Sequence, residues 1–401
     1  MKFKYQAVRK GKIQKGVVET VSRRMAERLL VNSGMRDIQL WEVKPNSLTV
    51  LLTKWWEGVK PREFVVFSRQ LATLIDSKVP LLTALESIAD QIDNQFFALK
   101  LKSIMFDIDS GSSLSEAMSK HPDLFSDFYV SMIRAGEASG TLDKTLNKLA
   151  DNIERNYELT SKLKSAMYYP IFILTAMVVV GALMMVMVVP KLLSILTEAG
   201  EDLPLQTKIL IGVSNLLVHY WWAFIIAIVL VFWGTKKYLQ TQEGRNWRDK
   251  WVLKLPVIGK MLHNVYIARF SENLGALLES GLPISVALEI TADIIGNNVY
   301  RQIIKQAAEE IKRGGNLSEV LRRYEEIPPV MAQMVEAGEY TGRMSFSLGK
   351  ITEFYLKESD RMIKNFSTLI EPILMVILAI AVGILVSAVL LPIYQVAMSI
   401  R

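Results

Sequence analysis

The chain has 401 residues, of which 51% are hydrophobic and 22% charged, and it carries 47 Lys and Arg against 40 Asp and Glu with no cysteine. So large an apolar share beside so much charge points to membrane spans joined to polar domains, and a prior of roughly 100 to 200 residues per domain leaves room for two domains plus spans. The missing cysteine excludes disulfides, Cys-ligated zinc, iron–sulfur clusters and thiol nucleophiles.

Residues 1–60 hold thirteen Lys and Arg against five Asp and Glu, a net of +8, and the remainder sums to −1. This basic segment is either a solvated surface or a face toward anionic lipid or an acidic partner. No zinc-finger, RNP or helix-turn-helix signature accompanies the charge, so no direct nucleic-acid partner is expected. The start, MKFKYQAVRKGKIQKG, has no apolar h-region, which predicts that it is not a cleaved signal and that the first domain stays in the cytoplasm.

Residues 3–8 and 13–20 alternate as a hairpin around Gly11, Ser22 can cap a helix carrying Met25, Leu29 and Leu30 on one face, Gly34 ends it, and 37–43 reads as a last strand. A small β-β-α-β domain over 1–46 results. A linker over 47–62 contains LTVLLTKWW, which either packs as a core segment or lies in the membrane interface with Trp55 and Trp56 at headgroup level. Amphipathic helices are predicted at 63–76, 81–92, 96–109, 114–119 and 126–135, forming a first helical bundle over 63–169. From Leu142 a long helix is predicted to pass straight into an apolar run, Pro170 to Pro190, that contains no charge and is long enough to cross ~30 Å of hydrocarbon.

A second run of the same length, Pro372 to Pro392, has the same proline at each end. The match extends outside the runs. At an offset of 203, Phe67-Ser-Arg-Gln-Leu71, Ser77, Pro80, Ala84-Leu-Glu86, Asp90, Asn94, Gly111 and Leu114-Ser-Glu116 recur as Phe270-Ser-Glu-Asn-Leu274, Ser280, Pro283, Ala287-Leu-Glu289, Asp293, Asn297, Gly314 and Leu317-Ser-Glu319. At 202, Ala135-Gly136-Glu137 with Gly140 recurs as Ala337-Gly338-Glu339 with Gly342, and the prolines follow. A helical bundle with its own membrane exit has been duplicated.

If both copies begin on one side, a further span must bring the chain back. The apolar run 216–234, flanked by Tyr220, Trp221, Trp222 and Trp233, serves that role. An external loop over 191–215 precedes it. A basic linker over 235–262 follows it, with a net charge of +5 over 235–260, so positive-inside logic puts that segment in the cytoplasm. The second bundle then covers 263–371 and the last span 372–396. The expected class is therefore mainly α: a polytopic membrane protein with three transmembrane helices, two repeated cytoplasmic helical bundles and a small N-terminal α+β domain, its N-terminus cytoplasmic and its C-terminus periplasmic.

No catalytic constellation is legible. The Gly-Lys pairs at 11, 259 and 349 lack the following Ser or Thr of a nucleotide-binding loop, and His121, His219 and His263 lack metal-ligand spacing. Asp107-Ile-Asp109-Ser-Gly111 matches the opening of a calcium loop, but its twelfth position is Met118, which favours a cap and turn. No enzyme activity, metal or cofactor is expected. The spans lack interior charge, which argues against a transporter. The residues singled out are structural or interfacial: Gly136, Glu137 and Gly140, with Gly338, Glu339 and Gly342, either shape turns and cap the next helix or dock a partner. Pro170, Pro190, Pro372 and Pro392 bound the spans, and Glu371 is either a first-turn acid or a contact peculiar to the second copy.

The stretches FSRQLATLIDSKVPLLTALE, GSSLSEAM, AGEASGTLD, the Tyr169-Pro170 entry, VVPK at 188–191, EDLPLQT, KLPVIGK, the second AGExxG and Glu371-Pro…LLPIY together resemble the type II secretion F family. These are the inner-membrane platform proteins of type II secretion systems and type IV pili, and the similarity covers nearly the whole chain. Lys78 departs from it, standing where the family and Gly281 of the second copy have glycine, which predicts a less tight first turn. The resemblance implies a non-enzymatic hub in the bacterial inner membrane. Its partners would be a hexameric assembly ATPase, pilin or pseudopilin subunits, other inner-membrane assembly proteins, lipid, and further copies of itself as a homo-oligomer. The alternatives from other classes are a small membrane transporter and a signalling membrane protein.

Overall fold

The computed structural model describes residues 2–9, 12–19, 26–27, 30–31, 33–43, 58–188 and 205–399. The LTVLLTKWW stretch, most of the predicted external loop, and Pro190 lie outside the described residues. The rest is mainly helical, with a small N-terminal strand region.

Strands β1 (Lys2–Arg9), β2 (Lys12–Glu19) and β3 (Arg36–Val43) form an antiparallel sheet in the order β2-β1-β3. Tyr5 pairs with Gly16 on one side and Leu40 on the other. A side chain at Gly16 would meet the Tyr5 ring at 2.8 Å, so only glycine lets that ring lie across the strand. Residues 26–27 and 30–31 are helical, and Gly34 (φ 76°) closes this turn as Met35 N–H donates to the Leu30 carbonyl. Ala26, Leu30, Met35, Leu40 and Ala7 form the buried core under the sheet.

The helices that follow start and stop close to where apolar stripes and breakers predict: α1 (Pro61–Asp76), α2 (Leu81–Gln91), α3 (Gln95–Asp109), α4 (Leu114–Ser119), α5 (Asp127–Ser139) and α6 (Leu142–Leu183). Side-chain caps fix three of the starts, with Asn94, Ser113 and Ser126 accepting from Phe97, Glu116 and Tyr129 N–H. An aromatic cluster ties α1, α3 and α5: Phe67 meets Phe97 edge-on at 5.2 Å and Phe64 meets Tyr129 at 5.5 Å. The turn at Lys78 is not looser than that at Gly281. Lys78 takes φ 64° against 87° for Gly281, and its Nζ donates to Asp143 at 2.7 Å.

Beyond α6, a π turn covers Met184–Val188, then come α7 (Leu205–Gln240), α8 (Gln242–Lys254), α9 (Ile258–Glu279), α10 (Ile284–Ile294), α11 (Asn298–Lys312), α12 (Leu317–Leu321), α13 (Pro329–Thr341) and α14 (Met344–Ser399). The segment expected as a basic linker thus folds largely as helix.

The chain folds as two compact units. The first holds Met1–Glu158, Tyr266–Gly296 and Tyr300–Glu353; the second holds Leu159–Val265, Asn297–Val299 and Phe354–Arg401. Within the first, α1 to α5 and most of α9 to α13 bury Phe67, Leu71, Leu85, Ile104, Ile133, Leu274, Leu288, Ile304 and Val335. The second is dominated by apolar helix surface with little to pack against: Phe172 is 70%, Val178 66% and Phe232 68% exposed. Such surface is stable only in lipid or against other apolar helices.

Among the described residues, two helices rather than the expected three are long and apolar enough to cross a membrane, within Leu142–Met187 and Met344–Gly383. The predicted middle span falls in α7, which departs from helical geometry at Tyr220 (φ −119°, ψ 20°) and so is interrupted near the start of its apolar run. Neither Pro170 nor Pro372 begins a helix. Both sit inside long ones, α6 and α14. Glu371 is likewise exposed in the interior of α14, which removes the first-turn reading, because no free N–H groups lie beside it. Pro392 lies in the same helix.

Candidate functional site

The six residues of the two Ala-Gly-Glu-x-x-Gly turns come together as two local clamps. In the first, α5 packs against the start of α6 at Gly136, where a Cβ would stand 2.7 Å from Thr145 Oγ1. Gly140 adopts φ 67°, ends α5 and lets Thr141 N–H reach the Gly136 carbonyl. Glu137 turns the other way: its carboxylate accepts from the backbone N–H of Leu114 at 2.6 Å and of Ser115 at 3.2 Å.

The second clamp repeats each contact. A Cβ on Gly338 would meet Ser347 Oγ at 2.8 Å, Gly342 takes φ 66°, and Glu339 accepts from Leu317 N–H at 2.5 Å and Ser318 N–H at 3.2 Å. Both carboxylates therefore cap the helix before their own, about twenty residues back, and not the one that follows. Each satisfies two of the N–H groups that a helix start leaves open.

Sequence reasoning missed the charged groups that gather on α6. Arg69 of α1 donates to Asp151 at 2.6 Å and to Glu154 at 2.5 Å. From the adjacent position, Arg155 donates to Glu272 of α9 at 2.5 Å. Asn152 donates to Asn273 at 3.0 Å in a buried contact, and Lys148 pairs with Glu279 at 2.5 Å. One stretch of α6, 148–155, is thereby held to both α1 and α9.

A signal for this was available. Arg69 and Glu272 occupy equivalent places in FSRQL and FSENL, an inversion of charge inside an otherwise matching repeat, and each finds its opposite on α6. Glu272 is the costly member. Its side chain is only 6% exposed, its second oxygen has no hydrogen-bond partner among the described residues, and burial raises its pKa against the pull of Arg155 and Arg269.

Asp107 of the calcium-like stretch pairs with Lys120 at 3.2 Å, and among the described residues no group of three His, Asp or Glu could hold a metal ion. These contacts fix helices against one another.

Comparison with known proteins agrees. The family described as Type II secretion system (T2SS), protein F matches twice, over residues 67–190 and 270–392, which together exceed half the chain. A type IV pilus assembly protein PilC from Thermus thermophilus is 35% identical over 397 residues, covering 98% of each chain. A PilC from Myxococcus xanthus is 35% identical over 92% of this chain and 90% of its own, and a type II secretion system protein F from Vibrio cholerae is 28% identical over 98% of each. The double family match with near full-length relatives, on a scaffold carrying two apolar helices long enough to cross a membrane, settles the assignment: the chain belongs to the type II secretion system protein F family, structural membrane platform proteins of secretion and pilus assembly machinery and not enzymes.

Proposed function

We propose that this chain is the inner-membrane platform of a type IV pilus or type II secretion machine, coupling a hexameric cytoplasmic assembly ATPase to the insertion of pilin or pseudopilin subunits. The observation that carries this reading is the continuity of α6. It runs over 42 residues, about 60 Å, from Leu142 through the ion-paired stretch at 148–155 and Pro170 into charge-free sequence. An ATPase in the cytoplasm cannot touch subunits inside the bilayer, so its motion has to be carried by a stiff element, and α6 is built as one. Spans without interior charge suit sliding contact with apolar pilin helices.

In this reading α7 is the returning span: Ile209 to Thr235 contains no Asp, Glu, Lys or Arg, and a basic segment follows it. Three spans then leave both repeated bundles in the cytoplasm with the N-terminus, and the C-terminus in the periplasm. The remaining partners are other inner-membrane assembly proteins and further copies of the chain. The residues of the two clamps, with Glu371 and the four prolines that bound the spans, set helix geometry in this scheme and do not bind a ligand.

A flexible Gly-Ser insertion after Ser165 tests the coupling. The protein should still fold, insert and bind its ATPase, while filament assembly is lost. Assembly at the normal level would refute the lever.

A further inference from the structure

Helix α8 has two unlike faces. On one, Asp249 is buried and accepts the Asn298 N–H at 2.9 Å through its carboxylate, the Asp249 carbonyl accepts from Asn297 Nδ2 at 3.3 Å, and Asn246 bonds to Asn298. On the other, Trp247 and Trp251 lie one turn apart with their rings stacked, 5.8 Å between centroids and 11° between planes, and remain 56% and 52% exposed. Lys250 and Lys254 flank this pair on one edge, whereas Arg248 on the other edge is taken up by Asp249, to which its Nε and Nη2 donate at 3.0 and 2.8 Å.

The position of α8 in the chain is as particular as its composition. Gln242 follows the end of α7 by two residues, and the corner is closed by Gly244, where a Cβ would stand 2.0 Å from the Tyr238 carbonyl oxygen. Gly259 makes an equally close approach to the Leu253 carbonyl at the far end. Just before it, Lys237 sits over the Trp233 ring at 5.5 Å, the pairing of cation and aromatic found where a span meets the headgroups.

We propose that α8 is a membrane-surface helix: Trp247 and Trp251 bed into the headgroup layer, and Lys250 and Lys254 hold anionic phospholipid beside them. Two stacked indoles supply an apolar body with polar N–H tips, which suits the interface better than water or hydrocarbon. The flanking cations match the negative surface of a bacterial leaflet, each Lys or Arg near such a surface strengthening attachment by about fivefold. The lipid source is thus the chain's own bilayer, continuous with the end of α7. The inference rests on the reading of α7 as a span.

The absence of native cysteine makes the test direct. Full-length W251C carrying a nitroxide is placed in nanodiscs of phosphatidylcholine with or without phosphatidylglycerol, and Y340C, at a position 94% exposed, is the aqueous reference. With anionic lipid, position 251 should become accessible to oxygen and shielded from a water-soluble nickel complex, while 340 stays open to both. K250E/K254E in the W251C background should return the label toward water. A second measurement keeps both indoles: brominated phosphatidylglycerol should quench the wild type more than W247F/W251F.

Equal water accessibility at 251 and 340 in both kinds of disc, with equal quenching of the two proteins, would overturn the proposal. Shielding at 251 that appears only when an assembly ATPase is added would overturn it in favour of a protein partner. A cysteine at Lys236 reacting from the periplasmic side of cells would instead sink the sidedness proposed above and leave the depth measured in discs standing.

Discussion

Arg155 and Glu272 are 117 positions apart, yet Arg155 Nε donates to Glu272 Oε1 at 2.5 Å and so locks α6 to α9. The pair is lopsided, because the carboxylate is buried while the guanidinium side chain is 48% exposed. Removing the exposed partner leaves a charge in the interior; removing the charge leaves a bond between neutral groups. R155A should therefore lower unfolding stability by about 2 kcal/mol, less than the ~3–5 kcal/mol of a fully enclosed pair, whereas E272Q should stay within about 1 kcal/mol of wild type. Denaturant titration in detergent, followed by tryptophan emission, compares the two. E272Q proving the more damaging would mean that the ionised pair is net stabilising.

The two clamps yield a paired expectation. Glu137 and Glu339 each hold two backbone N–H groups of a short helix, so E137A or E339A should cost about 1–3 kcal/mol, and the Gln variants, which keep one acceptor oxygen, about half of that. Amide exchange should speed up at Leu114 and Ser115 in the first case and at Leu317 and Ser318 in the second, without crossing over. If E137Q abolished ATPase binding while those amides stayed protected, the carboxylate would be a docking group and not a cap.

Acid should weaken the first bundle through His121. Its ring is 6% exposed with Nδ1 3.3 Å from Lys100 Nζ, and burial, then the Lys100 charge, hold its pKa below the ordinary value. The folded state thus resists a proton that the unfolded chain takes up below about pH 6.5. Stability is fully present above that pH and is lost as the pH falls below it. H121Q should show a smaller loss than wild type between pH 7.5 and 5; an identical pH profile would remove His121 from the account.

Lys78 carries a left-handed backbone that costs a side-chain-bearing residue more than glycine, and its ion pair with Asp143 is exposed, 76% on the lysine side, and so contributes little. K78G should raise the unfolding midpoint by about 2 °C. A fall would show that the loss of the lysine side chain, or the added freedom of the unfolded chain, outweighs the relief of strain.

How far these features were legible depends on their reach along the chain. The stripe through Phe67 and Leu71 and the polar turn at 110–113 act within a few residues, and the helix boundaries beside them followed; the caps Ser113 and Ser126 went unread, and α5 runs on to Ser139 and its stop at Gly140, past the expected end at 135. Lys78 at φ 64° was not legible, because nothing local asks a lysine to do what Gly281 does. Glu137 reaches back over 23 positions, and no window of helical length contains both ends of that bond. Glu154 and Arg155 look like ordinary surface charges until α6 is seen to have neighbours on both sides.

The topology proposed for the spans makes the sharpest prediction, because its alternatives differ by which side a residue faces. Single cysteines at Lys102 in the first copy and Tyr340 in the second, 49% and 94% exposed, can be introduced without competing thiols. If α7 returns the chain across the bilayer, a membrane-impermeant maleimide should miss both in intact spheroplasts and label both after permeabilisation. A cysteine appended after Arg401 should react in the intact cells. Labelling of Tyr340→Cys but not Lys102→Cys in intact spheroplasts would mean that α7 does not cross and that the two copies work on opposite faces, where one cytoplasmic ATPase could not grip both.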